Sequence, residues 1–452
     1  MWGQPVRRRI LKTRPSDERR NFVLGVLNGA IFKVTILLID SQTVLAWFLI
    51  QLGVPNFYIG LIAPIRMGSS FLLQIFVSGY LQQQPHKLPF YRAMAVLRSS
   101  SLLAAALAIS WIPVGSPWLV IVFFAMLTVY SLGSGLNGLA FSDIVAKVIP
   151  PTRRGGFYAQ RNFWGGLVAL ATGPLIGLLL AESGWVRFPI NVAWLFAGAF
   201  VTPALASSLW SLVREPPSQV IPGAVEWIEQ FNRGGQLLFS NAPYRMYLLG
   251  QVLTILAGTA GAFYIVYAKE VLGISAQMVG VYLTARTAAS IGSNLLWGRV
   301  SDRMGNRRLL RIGNAVGLCI PLIALGIAQL GQRSTAPTSW LSWAYALVFV
   351  ASGAFGAASS IARMGYLLDV APPAERPLYM GFANTLRGIT QFAALASGLI
   401  VDWGGFGALM TLSAVFYGLA FVLALAMPEP RATSARETPP LAPRRTPARE
   451  CT

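Results

Sequence analysis

Apolar and polar positions alternate along this chain in long blocks, and not in the short periods of an amphipathic soluble fold. Twelve blocks are dominated by hydrophobic residues and are about 20 residues long, the length that an α-helix needs to cross a bilayer. Polar or Pro- and Gly-containing stretches separate the blocks. We therefore predict an all-α integral membrane protein with twelve transmembrane helices near 22–52, 57–80, 91–112, 118–142, 157–181, 190–212, 245–270, 276–298, 309–330, 340–364, 377–401 and 405–427.

The polar breaks divide the chain into two bundles of six predicted helices. The only long break before the C-terminus lies near residues 213–244, and within it Glu226-Trp-Ile-Glu-Gln-Phe231 has the pattern of an amphipathic helix at the membrane surface. After Met427 the chain is rich in Pro, Arg and Thr, a composition that predicts disorder. The predicted organisation is a basic arm (1–20), an N-terminal bundle (21–212), a linker (213–244), a C-terminal bundle (245–427) and a tail (428–452).

The charge distribution predicts the orientation of these helices. The chain has 452 residues, with 36 Lys and Arg, 16 Asp and Glu and a formal net charge of +20. In a soluble protein this excess would suggest a nucleic-acid partner. With both termini in the cytoplasm, however, 26 basic residues fall in cytoplasmic segments and only Arg187, Lys269 and Arg333 fall on the other side. This asymmetry predicts a multi-pass protein of the cell (inner) membrane with both termini cytoplasmic, and no nucleic-acid partner.

Residues that catalyse reactions or bind metals are scarce. Cys319 and Cys451 lie in an apolar run and near the C-terminus, and His86 is the single histidine. A metal site or a nucleophilic triad needs a cluster of such groups. We therefore predict neither an enzyme nor a cofactor. The basic arm is predicted to be cytoplasmic and not a cleavable signal, because the apolar run after it is too long.

A basic stretch between the eighth and ninth predicted helices carries the most specific motif. It reads Gly298-Arg-Val-Ser-Asp302-Arg303-Met-Gly305-Asn-Arg307-Arg308. Its glycines predict a tight reversal over about ten residues, because glycine tolerates backbone angles that other residues avoid. Asp302 is predicted to accept hydrogen bonds from this turn or to lie at a helix N-terminus. An ordinary solvated basic loop is the alternative.

At these residues the chain resembles the major facilitator superfamily of secondary transporters. The loop motif of that family is Gly, three variable residues, Asp, a basic residue, one variable residue, Gly and, after one more residue, a basic pair. The resemblance implies two parallel six-helix repeats, and the halves do resemble each other at a separation near 220 residues. Pro150-Pro-Thr-Arg-Arg154 corresponds to Pro372-Pro-Ala-Glu-Arg376, and Asn162 corresponds to Asn384.

The resemblance also implies a conformational latch formed by Gly298, Asp302, Arg303, Gly305, Arg307 and Arg308. In the family, such loops hold one half against a helix end of the other half when the transporter faces outward. By this analogy Asp302 should approach the start of the fifth helix, near Arg153, Gly155 and Gly156. The corresponding loop of the first half has Gln83 in place of the acid, so its latch toward Arg376 and Tyr379 should be weaker.

Four ionisable residues are predicted to lie deep in the membrane: Lys33, Asp40, Arg66 and Arg286. Charges at such depth are costly and usually face the interior of a bundle or an aqueous cavity. Asp40 follows Lys33 by seven residues, on the same face of the first helix, and is the only acid deep in any predicted span. It can be a structural partner that neutralises Arg66 or Lys33, or it can be a proton-coupling carboxylate.

Arg66 and Arg286 are related by the repeat, and they favour an anionic substrate because paired guanidinium groups bind carboxylates and phosphates well. Each could instead bind carbonyl groups at helix ends. Arg98, Arg161, Arg363 and Arg387 either snorkel to the cytoplasmic face or face the interior. The remaining predicted substrate-binding residues, beside Lys33, are the polar groups Asn137, Asn162, Tyr264, Asn384 and Gln391.

Together with the resemblance, these residues predict a secondary active permease, working as a symporter or antiporter. It would move a small solute, with an organic anion favoured, by alternating access between the bundles, and protons are the predicted coupling ion. We predict that the protein contacts the lipid bilayer and is a monomer. The alternative is a non-transporting membrane sensor or assembly scaffold. That alternative predicts a closed, hydrophobic centre in which Arg66 and Arg286 are hydrogen-bonded to other protein groups.

Overall fold

The computed structural model describes residues 15–70, 77, 80–81, 83–181, 184–217, 227–333, 338–372 and 375–429. Over these ranges the chain is helical apart from short connections, and no strand occurs in them. Nine of the described helical segments are long and apolar enough to cross a membrane. The chain is therefore an all-α, multi-pass membrane protein. Most of the predicted basic arm and nearly all of the predicted tail lie outside the described residues.

The helices follow the predicted spans closely. The first six spans are Pro15–Leu38 with Val44–Gln51, Asn56–Ala63 with the π-helix Pro64–Gly68, Leu88–Trp111, Pro117–Val148, Pro151–Leu180 and Ile190–Trp210. A linker helix, Trp227–Ser240, follows. The last six are Ala242–Gly258 with Thr259–Ala262 and Phe263–Glu270, Gln277–Met304, Asn306–Arg333, Thr338–Val370, Arg376–Thr390 with Gln391–Ala394 and the start of Leu395–Ala426, and the remainder of Leu395–Ala426.

The nine apolar segments and the twelve predicted spans differ at three places. The segment Leu378–Ala426 contains two spans, since Gly405 has a φ of 74° and reverses the chain inside it. The second span is cut by undescribed residues after Ser70. The eighth span is too polar to count as a membrane segment, because it carries Arg286 and several Ser and Thr residues. A span of this polarity is expected to face an aqueous interior and not lipid.

Two faces of the molecule serve as references below. The basic face is the one on which the first span begins and the twelfth ends, and it carries Lys87, Lys147, Arg153, Arg214 and Arg303. The opposite face lies at the other ends of the spans. The N-terminal half comprises residues 15–217 and the C-terminal half residues 227–429, each a bundle of six spans.

The two halves pack closely where glycines let their helices approach. In the fifth and eighth spans, a Cβ added to Gly280 would lie 2.5 Å from the Cα of Gly177. In the second and eleventh spans, a Cβ on Gly60 would lie 2.8 Å from the carbonyl oxygen of Ala394. Such distances leave no space for a side chain, so these helices contact each other through their backbones. Both contacts lie between the middle of the membrane and the opposite face.

The basic motif differs from its prediction. The eighth span continues as helix to Met304, so Gly298 and Asp302 are helical, and only Gly305 turns the chain, with a φ of 86°. The prediction of a ten-residue turn was wrong because nothing between Gly298 and Met304 breaks a helix. Asn306 holds the turn, accepting a hydrogen bond of 2.6 Å from Ser301.

The linker begins with a carboxylate that is fixed to the N-terminal half. Glu215 accepts hydrogen bonds from the backbone N–H groups of Lys87 and Leu88, both at 2.8 Å, and forms an ion pair with Lys147. It therefore caps the start of the third span. Burial lowers the pKa of Lys87, Lys147 lowers it further, and Asp143 and Glu215 oppose the shift.

The linker helix Trp227–Ser240 overlaps the predicted amphipathic segment Glu226–Phe231. It packs on the C-terminal half, where a Cβ on Gly234 would lie 2.5 Å from the ring of Phe382 in the eleventh span. Its position at the membrane surface stays a prediction.

Candidate functional site

The first span is interrupted near the middle of the membrane by its own aspartate. Oδ1 of Asp40 accepts hydrogen bonds from the backbone N–H groups of Gln42 and Thr43, each at 3.0 Å, and from the Thr43 hydroxyl at 2.9 Å. An aspartate side chain that takes backbone donors in this way competes with helical hydrogen bonding. The helix therefore ends at Leu38 and restarts after Thr43.

Three other spans are irregular at a similar depth. The seventh narrows to a 3-10 turn at Thr259–Ala262, the eleventh does so at Gln391–Ala394, and the second contains the π-helix Pro64–Gly68. The breaks of the first and seventh spans meet, because a Cβ on Gly261 would lie 2.4 Å from Nε2 of Gln42. Interrupted helices at mid-membrane are a common way to build a solute site in transporters.

One ion pair joins the two halves at this depth. Nη1 of Arg286 donates to Oδ2 of Asp40 at 3.0 Å and to Oδ1 at 3.2 Å. Across the described residues, the other hydrogen bond between the halves runs from Asn56 to Asp402 at 2.9 Å, nearer the opposite face. These bonds and the glycine contacts hold the halves together from the middle of the membrane to the opposite face.

The two oxygens of Asp40 have different surroundings. Oδ1 accepts the backbone bonds that end the helix as well as the longer bond from Arg286, whereas Oδ2 accepts the shorter bond from Arg286. One carboxylate thus both ends the first helix and joins the two halves.

Arg66 lies on the N-terminal side of the same region. Its Nε donates to the Ser41 hydroxyl at 3.3 Å, and its guanidinium lies 4.9 Å from the centre of the Tyr130 ring. These partners all belong to the N-terminal half. Arg66 therefore lies close to the Asp40–Arg286 pair without joining the halves itself.

A cavity of about 360 Å³ lies between the halves around these groups. This volume lies within the range of small-molecule sites. Among the described residues, its charged lining consists of Asp40 and four arginines, Arg66, Arg286, Arg363 and Arg387. The cavity thus carries an excess of three positive charges when Asp40 is ionised. Uncharged polar groups complete the lining, among them Gln42, Gln251, Thr254, Ser359, Tyr264 and Gln391.

Five of the nine predicted binding or coupling residues line this cavity: Asp40, Arg66, Arg286, Tyr264 and Gln391. The repeat-related pair Arg66 and Arg286 does face one common space. The expected partner of Asp40 was wrong, since Asp40 pairs with Arg286 and not with Arg66 or Lys33.

The other four predicted residues do not line the cavity: Lys33, Asn137, Asn162 and Asn384. Asn137 is 3% exposed, and its amide donates to the Tyr91 carbonyl at 2.9 Å, which fastens the fourth span to the third. Lys33 and Asn162 are exposed, and Asn384 is half-buried in the eleventh span. Lys33 nevertheless lies close enough to Arg286 for the two positive charges to repel each other.

The four arginines of undecided role divide into two pairs. Arg98 donates to the Ser207 hydroxyl at 2.7 Å, and Arg161 donates to Asn28 at 3.2 Å, so both brace the N-terminal half internally. Arg363 and Arg387 line the cavity. Sequence analysis left this choice open, because a helical position alone does not show whether a long side chain turns outward or inward.

The predicted latch is not formed in this conformation. Asp302 and Arg303 are exposed, whereas Arg153 forms an ion pair of 2.9 Å with Glu18 of its own half. A Cβ on Gly155 would meet no atom within 4 Å. The family analogy places the latch in the outward-facing state, so the latch stays a prediction for that state.

Comparisons with known proteins agree with this architecture. Residues 246–450 match the family model described as Major Facilitator Superfamily. A D-xylose-proton symporter superimposes with a TM-score of 0.68 at 17% identity, covering 91% of this chain and 98% of that one. The C-terminal part of the chain, residues 246–450, thus resembles the major facilitator superfamily.

Other solved structures share the fold. A bacterial homologue of the iron transporter ferroportin, in an inward-facing state, gives a TM-score of 0.67 at 12% identity over 92% of this chain and 99% of that chain. A nucleoside transporter gives 0.65 at 14% identity over 91% and 98%. These similarities are between 12% and 17% in sequence identity, and they concern the fold alone.

Curated relatives match a shorter part of the chain. Uncharacterized proteins of Mycobacterium tuberculosis and Mycobacterium bovis are each 20% identical over 301 residues, which is 64% of this chain and 54% of the relative. The chain thus spans about half the length of the curated relatives that it matches.

Proposed function

We propose that this protein is a secondary active transporter of the major facilitator type that moves a small organic anion across the cell (inner) membrane by alternating access. The observation that carries this proposal is the cavity between the halves, with its four arginines and one aspartate. Charged groups at mid-membrane are costly, so they are usually retained to bind a solute or an ion. A guanidinium binds a carboxylate or phosphate with two parallel hydrogen bonds.

The basic face is, in this proposal, the cytoplasmic face. Its surplus of Lys and Arg supports the assignment, because cytoplasmic segments of membrane proteins carry such a surplus. Both termini would then be cytoplasmic. The contacts between the halves lie toward the opposite face, which supports an inward-facing state with its cavity open to the cytoplasm. One chain supplies the whole cavity, so a monomer is sufficient for transport.

The proposed coupling step is an exchange of partners at Asp40. An anion that enters the cavity competes with Asp40 for Arg286, and a proton at Oδ2 of Asp40 competes with Arg286 for the carboxylate. Either event weakens the ion pair that joins the halves. The two together release it completely, because Arg286 is then neutralised by the anion and Asp40 by the proton. A ligand shifts a conformational equilibrium only through such a difference in its interactions with the two states.

A scaffold without transport activity is the competing proposal. It needs a closed, apolar centre, whereas the centre here is a polar cavity. The cavity therefore favours transport. No chemical reaction is part of the proposal, in keeping with the transporters that share the fold.

Uptake into proteoliposomes tests the proposal. A thermal-shift screen of the purified protein against anionic metabolites first selects the solutes that bind. Uptake of those anions is then measured with and without an imposed proton gradient. We expect the gradient to drive uptake by the wild-type protein, and Asp40→Asn to lose this dependence while Asp402→Asn keeps it. Uptake that ignores both the gradient and Asp40→Asn would remove proton coupling, and failure of every anion to bind would remove the proposal.

A further inference from the structure

The arginines of the cavity form two groups at different depths. The upper group is Arg66 and Arg286, which lie beside Asp40. The lower group is Arg363 of the tenth span and Arg387 of the eleventh. The positive charges of Arg363 and Arg387 repel each other, and both arginines lie close enough to Tyr247 to interact electrostatically with its side chain. The lower group is therefore a second concentration of positive charge, separate from the ion pair of Asp40.

Helix direction explains why the lower group converges. Helical side chains lean toward the N-terminus of their own helix. The tenth span runs toward the basic face, so Arg363 leans toward the middle of the membrane. The eleventh span runs the other way, so Arg387 leans toward the basic face. The side chains of Arg363 and Arg387 therefore point toward each other. Their guanidinium groups can bind the same anionic group of a ligand.

The depth difference follows from the geometry of the tenth span. A Cβ on Gly353 would lie 2.1 Å from the carbonyl oxygen of Arg286, so Gly353 marks the level of the upper group. Arg363 follows Gly353 by ten residues. Ten residues of α-helix rise about 15 Å. The eighth span runs in the same direction as the tenth, so Arg286 and Arg363 lean the same way, and the two groups of positive charge stay about 15 Å apart.

We infer that the solute carries two anionic groups, one for each arginine group, at the two ends of an elongated molecule. This inference rests on the proposed function and narrows the substrate class to dianions, such as dicarboxylates or phosphorylated carboxylic acids. One end displaces Asp40 from Arg286, and the other end binds Arg363 and Arg387. Asp40 is the only acid among the described residues that line the cavity, so the excess of three positive charges matches a dianion better than a monoanion.

Matched pairs of linear carboxylates test the inference by thermal shift and by competition for uptake. The dianions are succinate, adipate and suberate, and the monoanions of equal carbon number are butyrate, hexanoate and octanoate. The variants are Arg363→Gln, Arg387→Gln and Arg363→Lys, with Arg161→Gln as a control that removes a membrane-embedded charge outside the cavity. Melting temperatures without ligand show which variants fold.

We expect wild-type protein to bind each dianion more tightly than its monoanion partner, with adipate or suberate ahead of succinate. Arg363→Gln should weaken dianion binding about tenfold or more and leave monoanion binding unchanged, as expected for loss of a charged hydrogen bond. Arg363→Lys should retain part of the preference, and Arg161→Gln all of it. Arg387→Gln should act like Arg363→Gln.

Three outcomes would overturn the inference. Equal binding of monoanions and dianions, unaffected by Arg363→Gln and Arg387→Gln, would refute the two-ended solute while leaving anion transport in place. Binding of two monoanions per protein would show that the arginine groups serve separate molecules. Binding of no anion at all would remove the proposed function together with this inference.

Discussion

The ion pair between Asp40 and Arg286 should set the balance between the two conformations of the proposed transporter. Arg286→Gln removes this bond between the halves and leaves the backbone hydrogen bonds of Asp40 in place. The conformation closed at the opposite face should lose stability, because the pair exists only when the halves meet there. We expect the variant to populate the conformation that is open at the opposite face.

The size of the shift follows from the burial of the pair. An exposed ion pair contributes about 0.2–1 kcal/mol, and breaking a fully buried pair costs about 3–5 kcal/mol. The side chains of Arg286 and Asp40 are 27% and 14% exposed, so the pair lies between these cases. We take about 2 kcal/mol, which is a factor of about 30 in the conformational equilibrium.

A single cysteine at position 397 reports this equilibrium. Ser397 is 1% exposed in the contact between the second and eleventh spans, so a thiol there is protected while the opposite face is closed. In a background of Cys319→Ser and Cys451→Ser, the labelling rate of Ser397→Cys by a membrane-impermeant maleimide is measured from the opposite face. Arg286→Gln should raise the rate by about 10–30 times, in line with the estimated population shift.

Arg66→Gln is the matched control for this experiment. Arg66 lines the same cavity and has the same charge, but its hydrogen bond to Ser41 stays within the N-terminal half. Its removal should leave the labelling rate close to that of the parent. An unchanged rate in Arg286→Gln, or an equal rise in both variants, would refute the assignment of the gate to the ion pair.

Three further predictions concern the contacts between and within the halves. Gly280→Val should hold the fifth and eighth spans apart at the opposite face, because an added Cβ would lie 2.5 Å from a backbone atom of the fifth span. Proteoliposome uptake should therefore fall. The control Gly292→Val, which lies in open space on the same helix, should transport normally in the same assay. Glu215→Ala should destabilise the protein by about 2 kcal/mol through loss of two backbone hydrogen bonds and an ion pair. A melting temperature in detergent that falls no further than that of the exposed-site control Glu375→Ala would contradict this role. Asp302→Asn should favour the inward-facing state by removing the predicted latch, and unchanged transport and unchanged conformational bias would count against that latch.

The sequence predicted the spans well because hydrophobic length is set by the bilayer and is visible in single residues. It also predicted that Arg66 and Arg286 share one space, since the internal repeat relates their positions. The capping of Gln42 and Thr43 by the Asp40 side chain is a local hydrogen-bond pattern, and the pairing with Arg286 depends on how the two halves meet.

The binding-site prediction failed where it depended on which way a side chain points. Asn137 was chosen for its polarity, but its face of the fourth span packs on the third, where its amide satisfies a backbone carbonyl. Arg363 and Arg387 were left undecided because snorkelling was considered without helix direction. The direction of the tenth span offers a usable signal, since Arg363 leans away from the basic face and toward the middle of the membrane.

Counterflow in proteoliposomes is the measurement that tests anion transport through this cavity most directly. Vesicles are loaded with an excess of an unlabelled anion selected by thermal shift, and entry of the labelled anion is followed. We predict transient accumulation of label with wild-type protein and with Arg161→Gln, and none with the double variant Arg66→Gln and Arg286→Gln. Label that enters no faster than in empty liposomes for every anion that binds would contradict the account.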